Sequence, residues 1–417
     1  MNKEEVIGLD KKYVMHTYSR IPLVIDRGEG VRVWGKDGKE YLDFISGIGV
    51  NAIGHCHPEV VAAINYQTKK LFHCSNLYYI ELEAKLAKAL CDISFADKVF
   101  FSNSGAEANE AAIKLARKFG SKQNGKPYEI ITMKDSFHGR TITTLKATGQ
   151  TKYQHGFGPF TPGFRYAPFN DLKAVKSSIS NKTCAIMMEP VQGEGGLNVA
   201  SQDFLKGLRQ LCDERGILLI LDEVQCGLGR TGELFAYQDY GIEPDIMTLA
   251  KPLAGGMPIG VTLAKERIAS FFEPGNHAST FGGNPVVCSA AIAFLKVVEE
   301  EGLVEGAREK GEYFREELEK LREAFSFIKE IRGKGLMIGL ELTFAGKGIV
   351  EECREEGLLI NCTAENILRF LPPLIIKKKD IDEAVRILRR VLNRVLNRDS
   401  DHLINYISKG RTKKEPT

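Results

Sequence analysis

Three stretches of the chain place reactive or charged side chains directly after an apolar run. The run KVFFS leads into Asn103, Ser104, Gly105 and Ala106, and then into the helix-forming stretch AEANEAAIKLARKF. A Ser-Gly turn entering a helix leaves the first-turn N–H groups free, and Gly105 lets the backbone come close to an anion. A phosphate would suit that place, although an ordinary capped helix would use the same residues. The run ILLILD ends on Asp222, followed by Glu223. A carboxylate closing an apolar strand is costly unless it meets a cation or caps a helix, and a structural ion pair would serve as well. The run DIMTLA is followed by Lys251, Pro252 and the pair Gly255-Gly256. A lysine in dry, partly cationic surroundings loses its proton readily and becomes a nucleophile towards aldehydes.

In an open α/β sheet, ligands collect beyond the carboxyl ends of the strands, which is where all three groups would lie. A phosphate cradle, a carboxylate able to face a protonated ring nitrogen and a nucleophilic amine are the three contacts that pyridoxal 5'-phosphate requires. Other phosphate-bearing ligands could use the first of them.

The elements that must carry these groups follow from the alternation of short apolar runs and helical patterns between about residues 97 and 263. KVFFS, EIITM, CAIMME, ILLILD and DIMTLA read as strands, and Ala106–Phe119 and Asp203–Arg215 as helices. That alternation predicts an α/β fold with a mostly parallel sheet flanked by helices. Upstream, Asp37-Gly38 suits a hairpin turn, and Pro58 opens a helix. Beyond residue 290 an amphipathic helix, short strands around IRGKGLMIGLEL and GLLINC, and a last helix over 380–396 predict a smaller α+β domain. The expected division is 1–55 as an N-terminal segment contributing to the small domain and 56–304 as the large cofactor-binding domain. The C-terminal small domain then covers 305–396, and 397–417 forms a polar basic tail.

With 417 residues, 43% apolar and 27% charged, the composition is that of a globular protein, and a formal charge of +3 gives no argument for nucleic acid or membrane partners. The nine cysteines are scattered with no CxxC pair, which predicts reduced thiols and a cytoplasmic protein. No apolar run resembles a signal peptide or a membrane span. His55 and His57 read as turn and cap residues with no third ligand nearby, so no metal is expected. His138 is read as a packing residue, and Glu107 and Arg230 as structural ion-pair residues.

The ordered motifs FFSNSGAEANEAAIKLARK, DSFHGRT, EPVQGEGG, LDEVQCGLGRTG, AKPLAGGMPIG and HASTFGGNP resemble those of the class III (subgroup II) aminotransferases of fold type I. The likeness runs from about Tyr13 to Leu396. HCSNLYY, FNDL, LFAYQDYGIEPDIMTLAK and LINCTAENILRFLPPLII are most similar to the acetylornithine branch of that family. The resemblance implies pyridoxal 5'-phosphate as cofactor, with Lys251 as the amine that takes its aldehyde and shuttles the proton. Asp222 would pair with the ring nitrogen and Gln225 with the ring O3'. Phe137 and Val224 would pack on the two ring faces, and Ser104, Gly105 and Ala106 would hold the phosphate. Thr280 would reach the phosphate of a neighbouring subunit, which implies a homodimer with shared active sites. For substrates it implies Arg140 as a carboxylate clamp, with Tyr18 able to assist, and Arg369 as holder of the second carboxylate of 2-oxoglutarate. Glu194 would pair with Arg369 while the amino donor is bound. Ile48 stands where ornithine aminotransferases generally have tyrosine, which favours an acylated donor, and Ala278 replaces a common glycine. The expected reaction moves the δ-amino group of N-acetylornithine to 2-oxoglutarate in arginine biosynthesis. Related donors (N-succinylornithine, N-succinyldiaminopimelate, 4-aminobutyrate, ornithine, a carrier-bound lysine precursor), a racemase on the same fold, and a non-catalytic protein are the alternatives.

Overall fold

The computed structural model describes residues 1–397, so the expected basic tail beyond Asn397 lies outside the described residues. The apolar runs assemble into one seven-stranded sheet. Its order is Lys98–Ser102, Gly260–Ala264, Ile246–Leu249, Leu218–Asp222, Thr183–Met188, Glu129–Met133 and Phe164–Ala167. Only Gly260–Ala264 runs against its neighbours, so the sheet is mostly parallel, as expected. Thr183–Met188 and Leu218–Asp222 are buried at every position, which is why they read as continuous apolar runs without alternation. All five expected runs are strands. Gly260–Ala264 and Phe164–Ala167 were not foreseen, because each is short and has no distinctive period.

Helices cover the sheet and are delimited by their caps. Gly105–Ser121 begins at Ser104, whose hydroxyl accepts from the Glu107 N–H at 3.2 Å, and buries Ala108, Ala111, Ala112 and Leu115. Gln202–Arg215 begins at Ser201 and ends at Gly216 in the left-handed region, φ +63°.

A four-stranded antiparallel sheet, Ile328–Lys334, Met337–Leu342, Ile367–Phe370 and Asn361–Thr363, carries the later strands. The hairpin at Asp37-Gly38 joins Arg32–Gly35 to Glu40–Asp43, and Glu40–Asp43 then pairs in parallel with Leu358–Leu359. Early and late parts of the chain thus share a sheet. An unforeseen N-terminal helix, Lys3–Tyr13, has a capping box from Asn2 and Glu5 and buries none of its residues.

Arg230 links the large sheet's loops to the smaller sheet, though not as an ion pair. Its fully buried guanidinium donates to the carbonyls of Leu336 and Pro372 and has no carboxylate partner among the described residues. Burial without a counter-charge pushes its pKa down to about 9. Next to it Gly335 turns at φ +53° against the loop, where a Cβ would lie 2.5 Å from the Thr231 carbonyl carbon and 2.7 Å from the Arg230 oxygen. Gly335→Ala must therefore displace backbone, at a cost of about 1–3 kcal/mol. The expected result is a thermal midpoint lower by at least about 2 °C, and an unchanged midpoint would contradict this packing.

Candidate active site

The strands ending at Ser102, Asp222 and Leu249 run in the same direction, so the residues after each strand emerge at one edge of the sheet. There a cavity of about 490 Å³ is lined by Ser104, Gly105, Ala106, Phe137, Arg140, Glu194, Asp222, Val224, Gln225 and Lys251. That size suits a small cofactor with part of a substrate. The start of the 17-residue helix Gly105–Ser121 faces it with free N–H groups and the positive end of the helix dipole. Gly105 is required by closeness: a Cβ there would come within 2.8 Å of Val224 Cγ1.

Asp222 is held by three donors. Its Oδ2 accepts from Asn109 Nδ2 at 2.7 Å and pairs with His138 Nδ1 at 2.8 Å, while Oδ1 accepts from the Val224 N–H at 3.1 Å. Asn109 is itself oriented by Thr248, whose hydroxyl donates to Asn109 Oδ1 at 2.7 Å. Burial opposes charge on His138, but the hydrogen bond and negative charge of Asp222 outweigh it, so the imidazole pKa lies above its ordinary value.

Lys251 begins a tight turn, Lys251–Ala254, immediately after the strand. Burial draws its ammonium below the usual lysine value; Glu194 opposes that shift and Arg369 reinforces it. The amine is thereby poised to act as nucleophile and base.

Behind Glu194, which lines the cavity, Arg369 is 1% exposed. Its Nη1 donates to Glu194 Oε1 at 2.6 Å and to the Gly193 carbonyl at 2.9 Å, and its Nε donates to Asn361 Oδ1 at 3.1 Å. Burial raises the Glu194 carboxyl, but the Arg369 charge prevails and leaves it below its ordinary value. Arg140 lies exposed at the rim, its guanidinium 4.0 Å from the Tyr153 ring centre.

The residues present fit pyridoxal phosphate. A glycine-dependent anion cradle, a buried carboxylate and a base-poised lysine border one cavity, with aromatic Phe137 beside them.

The family described as aminotransferase class-III matches residues 13–392. The chain belongs to the class-III aminotransferases. An acetylornithine aminotransferase of Methanocaldococcus jannaschii is 56% identical over 94% of this chain and 98% of its own. An ornithine aminotransferase of Toxoplasma gondii, solved with partial occupancy of PLP at its active site, superposes with a TM-score of 0.91 at 34% identity, covering 94% of each chain. An acetylornithine aminotransferase of Elizabethkingia anophelis gives 0.85 at 36% identity over 94% of this chain and all of that one.

Two residues singled out in the sequence of this aminotransferase lie elsewhere in the subunit. Tyr18 is 66% exposed beside Arg20, in the segment preceding the first sheet. Thr280 is exposed and lines a separate cavity with Glu107, Lys114 and His277. His138 does more than pack, since it bonds Asp222. Neither Glu107 nor Arg230 forms an ion pair among the described residues: Glu107 caps its own helix start by accepting from the Asn103 N–H. His55 pairs with Asp43 at 2.8 Å and His57 with Glu301 at 3.3 Å, and no metal-binding cluster occurs among the described residues. Sequence reading missed Asn109 and Glu189. Asn109 sits four residues inside a helix, where a polar residue in an alanine-rich face was the available signal.

Proposed function

We propose that this aminotransferase, with pyridoxal 5'-phosphate as cofactor, transfers the δ-amino group between N-acetylornithine and 2-oxoglutarate. The products are N-acetylglutamate 5-semialdehyde and glutamate, which places the reaction in arginine biosynthesis. The observation that carries the reading is one arginine lining the cavity of Lys251 and a second held behind Glu194 at its wall. Arg140 lies at the rim with no carboxylate partner among the described residues, whereas Arg369 is buried and already paired with Glu194 at 2.6 Å. A dicarboxylic oxo acid needs both cations; a donor with one carboxylate needs only one, and Glu194 neutralises the other.

When bound, the cofactor supplies an aldehyde for Lys251 and a ring that accepts electron density from the substrate carbon. Ser104, Gly105 and Ala106 would hold its phosphate, Gln225 its O3', and Asp222 its ring nitrogen, with Phe137 and Val224 against the ring. Asp222, backed by His138 and Asn109, would keep that nitrogen protonated. The Lys251 amine would take the proton from the substrate carbon and return it. Arg140 would orient substrate through its carboxylate, and Arg369 would take the second carboxylate of the oxo acid once Glu194 turns away. Tyr18, on the exposed N-terminal segment, would contact substrate only if that segment folds over a site.

A homodimer is part of this reading, with Thr280 of one subunit reaching the phosphate site of the other. The exposed Phe72 and Phe281 line one apolar hollow, and Leu77, Tyr78 and Tyr79 are exposed as well, which suits burial against a second copy. A cytoplasmic location belongs to the same proposal; no helix among the described residues is long and apolar enough to cross a membrane.

A donor screen with 2-oxoglutarate as acceptor tests the substrate. N-acetylornithine is expected to exceed N-succinylornithine, ornithine, 4-aminobutyrate and N-succinyldiaminopimelate in kcat/KM by at least about tenfold, a difference of ~1.4 kcal/mol. Another donor in first place would retire the acetylornithine assignment and leave the aminotransferase standing.

A further inference from the structure

Glu189, between the strand Thr183–Met188 and Pro190, has no part in the roles assigned above, yet it is 6% exposed and borders the cavity. Its two oxygens hold two separate segments: Oε1 accepts from the Phe137 N–H at 2.8 Å, and Oε2 accepts from the Gly193 N–H at 3.1 Å. The Gly193 carbonyl is held in turn by Arg369 Nη1 at 2.9 Å. One residue further on, the Glu194 carbonyl accepts from the Thr363 hydroxyl at 2.7 Å, and the Gly195 carbonyl accepts from Asn198 Nδ2 at 3.0 Å. Every peptide flanking the Glu194 side chain is therefore anchored to a different element of the fold.

We propose that Glu189 and Thr363 are positioning residues that pin the backbone of the Glu194 switch, so that the switch opens by rotation of the Glu194 side chain alone. The inference rests on the reading of Glu194 and Arg369 as the carboxylate switch. A pinned backbone keeps the Gly193 carbonyl on Arg369 Nη1 after Glu194 leaves, and Asn361 keeps hold of Nε. The guanidinium then keeps its place behind the Glu194 side chain, ready for a carboxylate that takes the position Glu194 leaves, without a loop to reorder on each turnover. Because its other oxygen holds Phe137, Glu189 also ties the ring-facing segment to the switch. Its carboxyl is pushed up to about 7 by burial, with Asp222 adding to the rise and His138 opposing it. Such a group is costly to keep ionised, and the two N–H donors compensate for part of that cost.

The holoenzyme supplies the test. Thr363→Val removes the hydroxyl with little change of shape. It is expected to raise KM for 2-oxoglutarate about tenfold while the donor's KM moves less than about threefold, because only the oxo acid needs the open switch. Thr363→Ser keeps the donor hydroxyl and is expected to match wild type; equal loss in the serine and valine variants would overturn the pin in favour of simple packing. Glu189→Gln replaces one acceptor by a donor, and amide hydrogen exchange is expected to accelerate together in peptides covering 135–140 and 190–196. Unchanged exchange at 190–196 would overturn the role of Glu189. Arg369→Lys, run in parallel, separates the two layers. If it leaves KM for 2-oxoglutarate unchanged, the switch reading itself fails and takes the pins with it. If it raises that KM while Thr363→Val does not, the pins alone fail.

Discussion

Lys251→Ala is expected to lower kcat for transamination by about 10²–10⁴-fold or more, the range for removing a positioned acid–base group. The side chain lies at the end of a fully buried strand, where burial disfavours its ammonium form and Arg369 adds to that effect. Among the described residues no other lysine borders the cavity, so none of them is placed to take over the proton transfer. Alanine leaves the turn Lys251–Ala254 and its proline intact, and the fold should survive. The check is the rate of glutamate formation from donor and 2-oxoglutarate, read beside the thermal midpoint of each protein. A folded alanine variant with a rate within about tenfold of wild type would remove Lys251 from the chemistry.

Asp222→Asn should have the next largest effect, a loss in kcat of about 10²–10³-fold, comparable to deleting a preorganised electrostatic contact. Asparagine preserves the shape of the residue but abolishes the charge that would hold a ring nitrogen protonated. It also disturbs its supports. Asn109 Nδ2 and His138 Nδ1 both face Oδ2, and an amide nitrogen placed there would confront two donors. Rotating the amide instead sets its nitrogen against the Val224 N–H. At least one donor is left facing a donor either way, which adds a stability loss of about 1–3 kcal/mol. Steady-state kinetics and the unfolding midpoint of the same preparation separate the two effects. Full activity in the variant would show that no charged partner is needed at this position.

The legible part of the fold was the central sheet. Thr183–Met188 and Leu218–Asp222 are sealed on both faces, and such strands write themselves as uninterrupted apolar runs. Gly260–Ala264 left no such mark, although it is just as buried, because it follows a Gly-Pro-rich turn and is only five residues long. The helix Lys3–Tyr13 also escaped notice, since it buries nothing and so carries no apolar stripe to read.

For the site, local chemistry was readable wherever a polar group follows an apolar strand: Ser104-Gly105-Ala106, Asp222 and Lys251 each stand out against their neighbours in the chain. The reacting groups and, through long ordered motifs, the aminotransferase family were therefore legible in the sequence. The supports of those groups were not, and only the folded chain set them. Asn109 reaches Asp222 across 113 positions, Glu189 joins Phe137 to Gly193, and Thr363 meets Glu194 across 169. Folding also determined that Arg230 would donate to carbonyls and not to a carboxylate. A strand end exposes its own side chain through local patterning. A hydrogen-bond partner is instead chosen by packing between segments far apart in the chain, and no local period records that choice.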